Sequence, residues 1–135
     1  MQTFLAYPDF DMAAKVLDPS RLGNQAYREG LTLLRGGWPN HPASKMWQGY
    51  KWALCEYILA CFRELTARGR HYQKHIDEVK QISVECSSNF MPFWINDERL
   101  FSSHRSNLLR KDQEWYGKFG WKEGPDLPYF WPTKG

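Results

Sequence analysis

Ala43-Ser44-Lys45-Met46-Trp47-Gln48-Gly49-Tyr50-Lys51-Trp52-Ala53-Leu54-Cys55-Glu56-Tyr57-Ile58-Leu59-Ala60-Cys61-Phe62-Arg63-Glu64-Leu65-Thr66-Ala67-Arg68 is the stretch that decides the fold. Met46, Tyr50, Ala53, Leu54, Tyr57, Ile58, Cys61, Phe62 and Leu65 recur at three- and four-residue steps. That is the spacing of one apolar helix face. It predicts a central core helix over residues 43–68, ended by Gly69. No segment shows the period-two alternation of a strand, and no repeat is present. The expected fold is all-α, with residues 1–135 forming a single compact helical domain around this helix. A chain of 135 residues is long enough to bury a core without staples.

Outward from that helix, punctuation residues set the other elements. Pro8 keeps Tyr7 out of the α region, so residues 1–8 are expected to be extended. Asp9 is placed to cap a short helix through Leu17. Asp18-Pro19 opens another helix that runs to Arg35 and stops at Gly36-Gly37. Trp38-Pro39-Asn40-His41-Pro42 is a rigid turn, since two prolines fix most of its backbone. After Gly69, Ile76, Val79 and Ile82 mark a helix from Gln73 to Glu85. Ser87 to Ile95 reads as a loop around Met91-Pro92, and Asp97 to Lys111 as a last helix. Trp115 to Trp131 reads as an irregular aromatic tail.

Net charge is +3, so the chain is no polycation, but the charge is uneven. From Arg99 to Lys122 there are six basic residues and two acids, an excess suited to phosphate or an anionic lipid surface. Aromatics make up 16% of the residues, more than so small a core can hide, and exposed rings serve binding. Three cysteines without a CxxC fit small core residues in a reducing compartment. The N-terminus lacks a basic region followed by a long apolar run. The expectation is a soluble intracellular, cytoplasmic protein with no membrane association.

Several clusters carry chemical promise. Arg21, Arg28 and Glu29 lie seven and eight residues apart, about two turns at ~3.6 residues per turn, and share a broad helix face. A carboxylate among guanidinium groups suits an anionic ligand that develops positive charge during reaction. The competing reading is a solvated face of ordinary ion pairs. His41 and Lys45 stand in and just after the proline turn, placed equally well for phosphate binding or for packing. His71 and His75 are four apart, but no further ligand stands at a matching spacing, so they read as surface histidines and no metal is expected. His104-Arg105 reads as a basic exposed face of the last helix. Trp115-Tyr116-Gly117-Lys118-Phe119-Gly120-Trp121 interleaves rings, lysine and glycine. It fits either base stacking with phosphate neutralisation or a tail that caps the core.

Read in order, these pieces resemble the pyrimidine-dimer DNA glycosylases, the endonuclease V-like family. Tyr27-Arg28-Glu29 matches that family's catalytic Tyr-Arg-Glu. Glu56-Tyr57-Ile58 to Arg68-Gly69 is similar to its central helix, and Trp115-Tyr116-Gly117-Lys118-Phe119-Gly120 to its C-terminal aromatic motif. His41 is similar to a histidine before the central helix. The resemblance implies a DNA repair glycosylase and abasic-site lyase: a hydrolase or lyase on damaged or modified bases, pyrimidine dimers among them. In that family the N-terminal α-amine attacks the sugar C1′, a glutamate assists the imine chemistry, and β-elimination cuts the strand. An α-amine titrates near ~7.7–8.0 and a lysine near ~10.4, so the former is more available as a nucleophile.

Residues and resemblance together give Glu29, Met1 and Arg28 as catalytic. Arg21, Tyr27, His41, Lys45, Arg105, Trp115, Tyr116, Lys118 and Lys122 are expected to contact DNA. No cofactor and no obligate protein partner are expected; the partner is double-stranded DNA. The family's amine belongs to a threonine exposed on methionine removal, whereas this chain has Gln2, too large for routine removal. The nucleophile is then Met1, or Lys45, or the lyase step is lost. The chain beyond Trp121 also outruns the family motif, which leaves a modified base beside a photodimer as substrate. Two other classes stay open: a non-catalytic DNA-binding module, and a nucleotide-acting enzyme binding phosphate through Arg21, Arg28, His41 and Lys45.

Overall fold

Four aspartates start helices in the computed structural model, which describes residues 1–133. Asp9 accepts from the Met12 amide at 3.1 Å and opens α1 (Phe10–Lys15). Asp18 accepts from the Arg21 amide at 3.3 Å and opens α2 (Pro19–Gly23). Pro19 occupies the first turn, where its missing N–H has no intrahelical partner to lose. The helix continues through a π-helical segment, Asn24–Gly30, into α3 (Leu31–Leu34). It ends before Gly36, whose φ is +84°.

The expected helix over residues 43–68 is two helices. α4 (Pro42–Trp47) and α5 (Lys51–Ala67) are separated at Gly49, whose φ of +87° no other residue type adopts readily. The apolar face survives the break, because Met46, Trp47, Tyr50, Leu54, Tyr57, Ile58, Cys61, Phe62 and Leu65 are all buried. α5 is the central element and packs against α1, the π segment and α6 (Gln73–Val84). α7 (Glu98–Lys111) starts where Asp97 accepts from the Arg99 amide at 3.1 Å. The tail, expected to be irregular throughout, begins with a short α8 (Gln113–Tyr116) and a 3-10 turn (Gly117–Phe119). Asp112 explains this, since its carboxylate caps the Trp115 amide at 3.0 Å. The described residues contain no strand and no helix long and apolar enough to cross a membrane.

The π segment depends on Gly30. A Cβ there would lie 2.5 Å from the Gln25 carbonyl oxygen and 2.7 Å from Ile58 Cγ1. The widened turn therefore fits against α5 only with hydrogen at that position.

α7 corrects a second expectation. His104 and Arg105 do not form an exposed basic face; both are buried, as are Ser103, Ser106 and Asn107. The N-terminal segment and the tail lie over this polar face. His104 Nδ1 accepts from the Leu5 amide at 2.8 Å, and the Arg105 guanidinium donates to the Ala6 carbonyl at 2.7 Å. Arg105 also pairs with Glu98 and, at 2.8 Å, with Glu123. Ser106 Oγ accepts from the Leu127 amide at 2.9 Å, and Ser103 Oγ from the Phe130 amide at 3.1 Å. Arg105 holds the Glu123 carboxyl well below its usual range, at about 2.

Two outcomes follow from this packing. Gly30→Ala should destabilise by about 1–3 kcal/mol, because the added methyl has no room. Ordinary helix propensity would instead favour alanine by about 1 kcal/mol, so urea unfolding reads the sign.

The second concerns His104, which burial pushes down to about 3 from an ordinary 6.5. The unfolded chain then binds the extra proton between those values. Stability is fully present above pH 6.5 and is lost as pH falls toward 3. Between pH 7 and 5 the loss should be about 2 kcal/mol, at ~1.4 kcal/mol per pH unit below 6.5. Urea unfolding of wild type and His104→Gln at both pH values checks this, the variant losing most of the dependence.

Candidate active site

An extended N-terminal segment in an all-helical protein has no neighbouring strand to pair its backbone. Buried backbone groups must find other partners, and here side chains supply them. The hub is Gln25, on the π segment. Its Oε1 accepts from the Phe4 amide at 2.8 Å, and its Nε2 donates to the Gln2 carbonyl at 2.8 Å. The buried Tyr57 hydroxyl lies 2.7 Å from the same Oε1 and 2.8 Å from the Phe4 carbonyl. Trp47 Nε1 donates to Thr3 Oγ1 at 3.0 Å, and the Thr3 amide donates to Gln2 Oε1 at 2.9 Å. Residues 2–4 are thus held against the helix that carries Tyr27-Arg28-Glu29.

Glu29 follows Gln25 by four residues on that segment. It is half-buried, and its Oε2 is shielded from solvent with no hydrogen-bond partner. Among the described residues its carboxylate makes no ion pair. Arg21 does not flank it as a partner; its guanidinium pairs with Asp18 at 3.2 Å. Burial pushes the Asp18 carboxyl up, but hydrogen bonds from Tyr116 and Arg21 outweigh this and hold it below the ordinary range. Arg28 is exposed and makes no ion pair among the described residues. Met1 is partly buried against the core and likewise makes no hydrogen bond or ion pair among them.

The remaining expected contacts divide. Tyr27 is 52% exposed, and its ring meets Tyr72 at 5.3 Å and His75 at 5.5 Å. Lys45, Lys118 and Lys122 are exposed, and Lys118 Nζ lies 3.5 Å from the centre of the Trp115 ring. Trp115 itself is half-buried and donates to the Val16 carbonyl at 2.8 Å. His41 caps α4, its Nδ1 accepting from the Ala43 amide at 3.0 Å, while its ring edge meets Trp131. Two expected DNA contacts are corrected. Arg105 is committed to Glu98, Glu123 and the Ala6 carbonyl, as described above. Tyr116 is fully buried and hydrogen-bonded to Asp18 at 2.5 Å, where burial pushes its phenol up.

Sequence reasoning passed over Gln25, Arg70 and Tyr72, and read His75 only as a surface histidine. Gln25 had a signal: a polar residue inside the buried stripe of Leu22, Ala26 and Leu31. Arg70 and Tyr72 carried none, and the spacing of His75 from His71 did not point to Tyr27, because the fold alone brings these residues to Tyr27 and Gly23. The Arg70 guanidinium donates to the Tyr72 hydroxyl at 2.5 Å, and a Cβ on Gly23 would lie 3.3 Å from Arg70 Nη1. Competing chemistries are weak here. Burial pushes the Cys55 and Cys61 thiols up to about 12, which keeps them protonated. No group of three or more His, Cys, Asp or Glu suited to a metal stands among the described residues.

The family described as pyrimidine dimer DNA glycosylase matches residues 1–78, more than half of the chain. Those residues include Met1, Gln25, Tyr27, Arg28, Glu29, His41 and Lys45. The Trp115–Gly120 motif lies outside them. No curated protein and no solved structure matches. With the N-terminal segment seated on the Tyr-Arg-Glu helix and more than half of the sequence matched, the chain belongs to the pyrimidine dimer DNA glycosylase family.

Proposed function

We propose that the protein removes damaged pyrimidine bases from double-stranded DNA and then cuts the strand at the abasic site. The observation that carries this reading is the seating of residues 2–4 by Gln25, four residues before Glu29, a carboxylate whose Oε2 is buried and unpartnered. An unpaired carboxylate on the segment that seats residues 2–4 suits a cationic sugar or iminium. The α-amine of Met1 attacks C1′, and the base leaves with the electrons of the broken C1′–N bond. Glu29 takes up the proton released as the imine forms. Abstraction of a C2′ proton then expels the 3′ phosphate by β-elimination. Met1 is retained because Gln2 follows it, and it needs no substitute in this scheme. Lys45 is the alternative amine.

Arg28, Lys118 and Lys122 are the exposed cations assigned to phosphates, with Arg21 contributing from its pair with Asp18. Tyr27 provides an exposed ring for an unstacked base. Enzymes that act on a base in a duplex displace it from the stack, and aromatic side chains fill such gaps. A photodimer and a modified pyrimidine are distinguished by cleavage of duplexes carrying each.

Borohydride should trap a covalent adduct on abasic or ultraviolet-damaged duplex DNA, and mass spectrometry should place it on residue 1. An adduct on Lys45 would overturn the terminal assignment alone. Glu29→Gln should lower single-turnover cleavage about 10²–10³-fold while duplex binding persists. Full activity of that variant, with no adduct on any damaged DNA, ends the glycosylase reading.

Duplex affinity should fall with salt at a log–log slope of about −3 to −5, as expected for roughly three to five phosphate contacts. A flat dependence, read by fluorescence anisotropy, would point to a small-molecule ligand.

A further inference from the structure

We infer that Gln2 contacts the substrate, its side-chain amide donating a hydrogen bond to the deoxyribose ring oxygen O4′ of the nucleotide under attack. This rests on the reading just given. Gln2 is only 6% exposed. Its Oε1 is turned back onto the Thr3 amide at 2.9 Å, which fixes the amide's orientation. Its Nε2 is consequently aimed elsewhere, shielded from solvent and without a partner. Its carbonyl is held by Gln25 at 2.8 Å, so the residue cannot drift. Glu29 Oε2, four residues along from Gln25, is the complementary unpartnered atom. A donor on a residue held by Gln25 and an acceptor four residues after Gln25 are thus both unsatisfied. Buried polar groups without partners are uncommon in folded proteins, each calls for an explanation, and a substrate atom that completes this one is the explanation argued for Nε2.

The chemistry of each group narrows the ligand. Nε2 carries two hydrogens and accepts nothing, so it needs an acceptor. Gln2 is covalently next to the amine assigned to attack C1′, and the substrate atoms nearest its reach are those bonded to C1′. Two of these belong to polar groups, the base nitrogen and O4′. The base departs, whereas O4′ stays through the reaction. When the amine nitrogen forms the C1′=N bond, the C1′–O4′ bond breaks and its electron pair moves to O4′. O4′ then takes the proton that Glu29 had accepted from the amine. Gln2 transfers no proton; its amide stabilises the charge gathering on O4′. Contact requires Met1, which is packed against the core without a hydrogen bond or ion pair among the described residues, to move as substrate binds.

The test compares two duplexes that carry a base-free nucleotide analogue. One has a tetrahydrofuran ring, which keeps O4′; the other has a cyclopentane ring, in which a methylene replaces it. Wild-type protein should bind the tetrahydrofuran duplex about 3- to 10-fold more tightly, the worth of one neutral hydrogen bond. Gln2→Met keeps side-chain length and a bulky second residue, and intact-mass measurement verifies that Met1 remains. That variant should bind both duplexes equally, at the wild type's cyclopentane level. Gln2→Glu should show no preference either, having replaced the donor with an acceptor. A preference that survives in Gln2→Met overturns the proposal. So does its absence in the wild type, a result that needs no variant to fold and is also the one expected if Nε2 instead served the base. An adduct trapped by borohydride with no tetrahydrofuran preference overturns this proposal alone. No adduct with wild type overturns the glycosylase reading and this proposal with it.

Discussion

The side-chain amide of Gln25 stands between two parts of the molecule that otherwise have no reason to meet. One is an extended terminal segment whose backbone groups are unpaired by any sheet. The other is a helix widened into a π turn. The amide offers one acceptor and one donor, and it satisfies the Phe4 amide and the Gln2 carbonyl together. Tyr57 supports it from the central helix. A glutamine is suited to this task in a way a carboxylate is not, since a carboxylate would leave the Gln2 carbonyl without a donor. The same arrangement keeps charge away from Tyr57 and leaves Glu29 as the carboxylate of the segment.

The widened turn has a related role. In a regular helix, residues four apart are offset by ~40° about the axis, whereas a wider turn changes that relation locally. Here the widening spans Asn24–Gly30 and includes both the anchoring glutamine and Glu29. Its steric condition is the missing side chain at Gly30, against Ile58. Packing of the central helix, the path of the terminus and the setting of the carboxylate are therefore coupled through a few atoms.

Much of the fold was legible in local chemistry. Asp9, Asp18 and Asp97 cap the helices their positions announced, and the apolar spacing of residues 43–68 marks the core face. The interruption at Gly49 was less visible, because the buried face continues in step across it. The π turn left no mark in periodicity, since the need for Gly30 arises from Ile58 across the helix interface. His104 and Arg105 were misread for a similar reason. Their covering groups lie at Leu5, Ala6 and Glu123, and a polar helix face looks solvated until its cover is known. At the site, Tyr27-Arg28-Glu29 was readable as a motif. Gln2 was readable only as an anomaly, and its folded-back amide is a tertiary fact.

The ties that seat the N-terminal segment also have a temporal meaning. Leu5 is held by His104, Ala6 by Arg105, Val16 by Trp115 and Asp18 by Tyr116, each across 98 or 99 residues. Residues 5–18 thus leave the ribosome long before the residues that become their final partners. A nascent chain that has emerged through residue 78 contains all of the family-matched sequence, but not the groups that clamp its beginning. Such non-local closure slows folding and leaves the terminus waiting in an unfinished chain. In this architecture the segment around residues 5–18 is made well before the groups that hold it, and its setting is completed only once residues 104–116 have emerged.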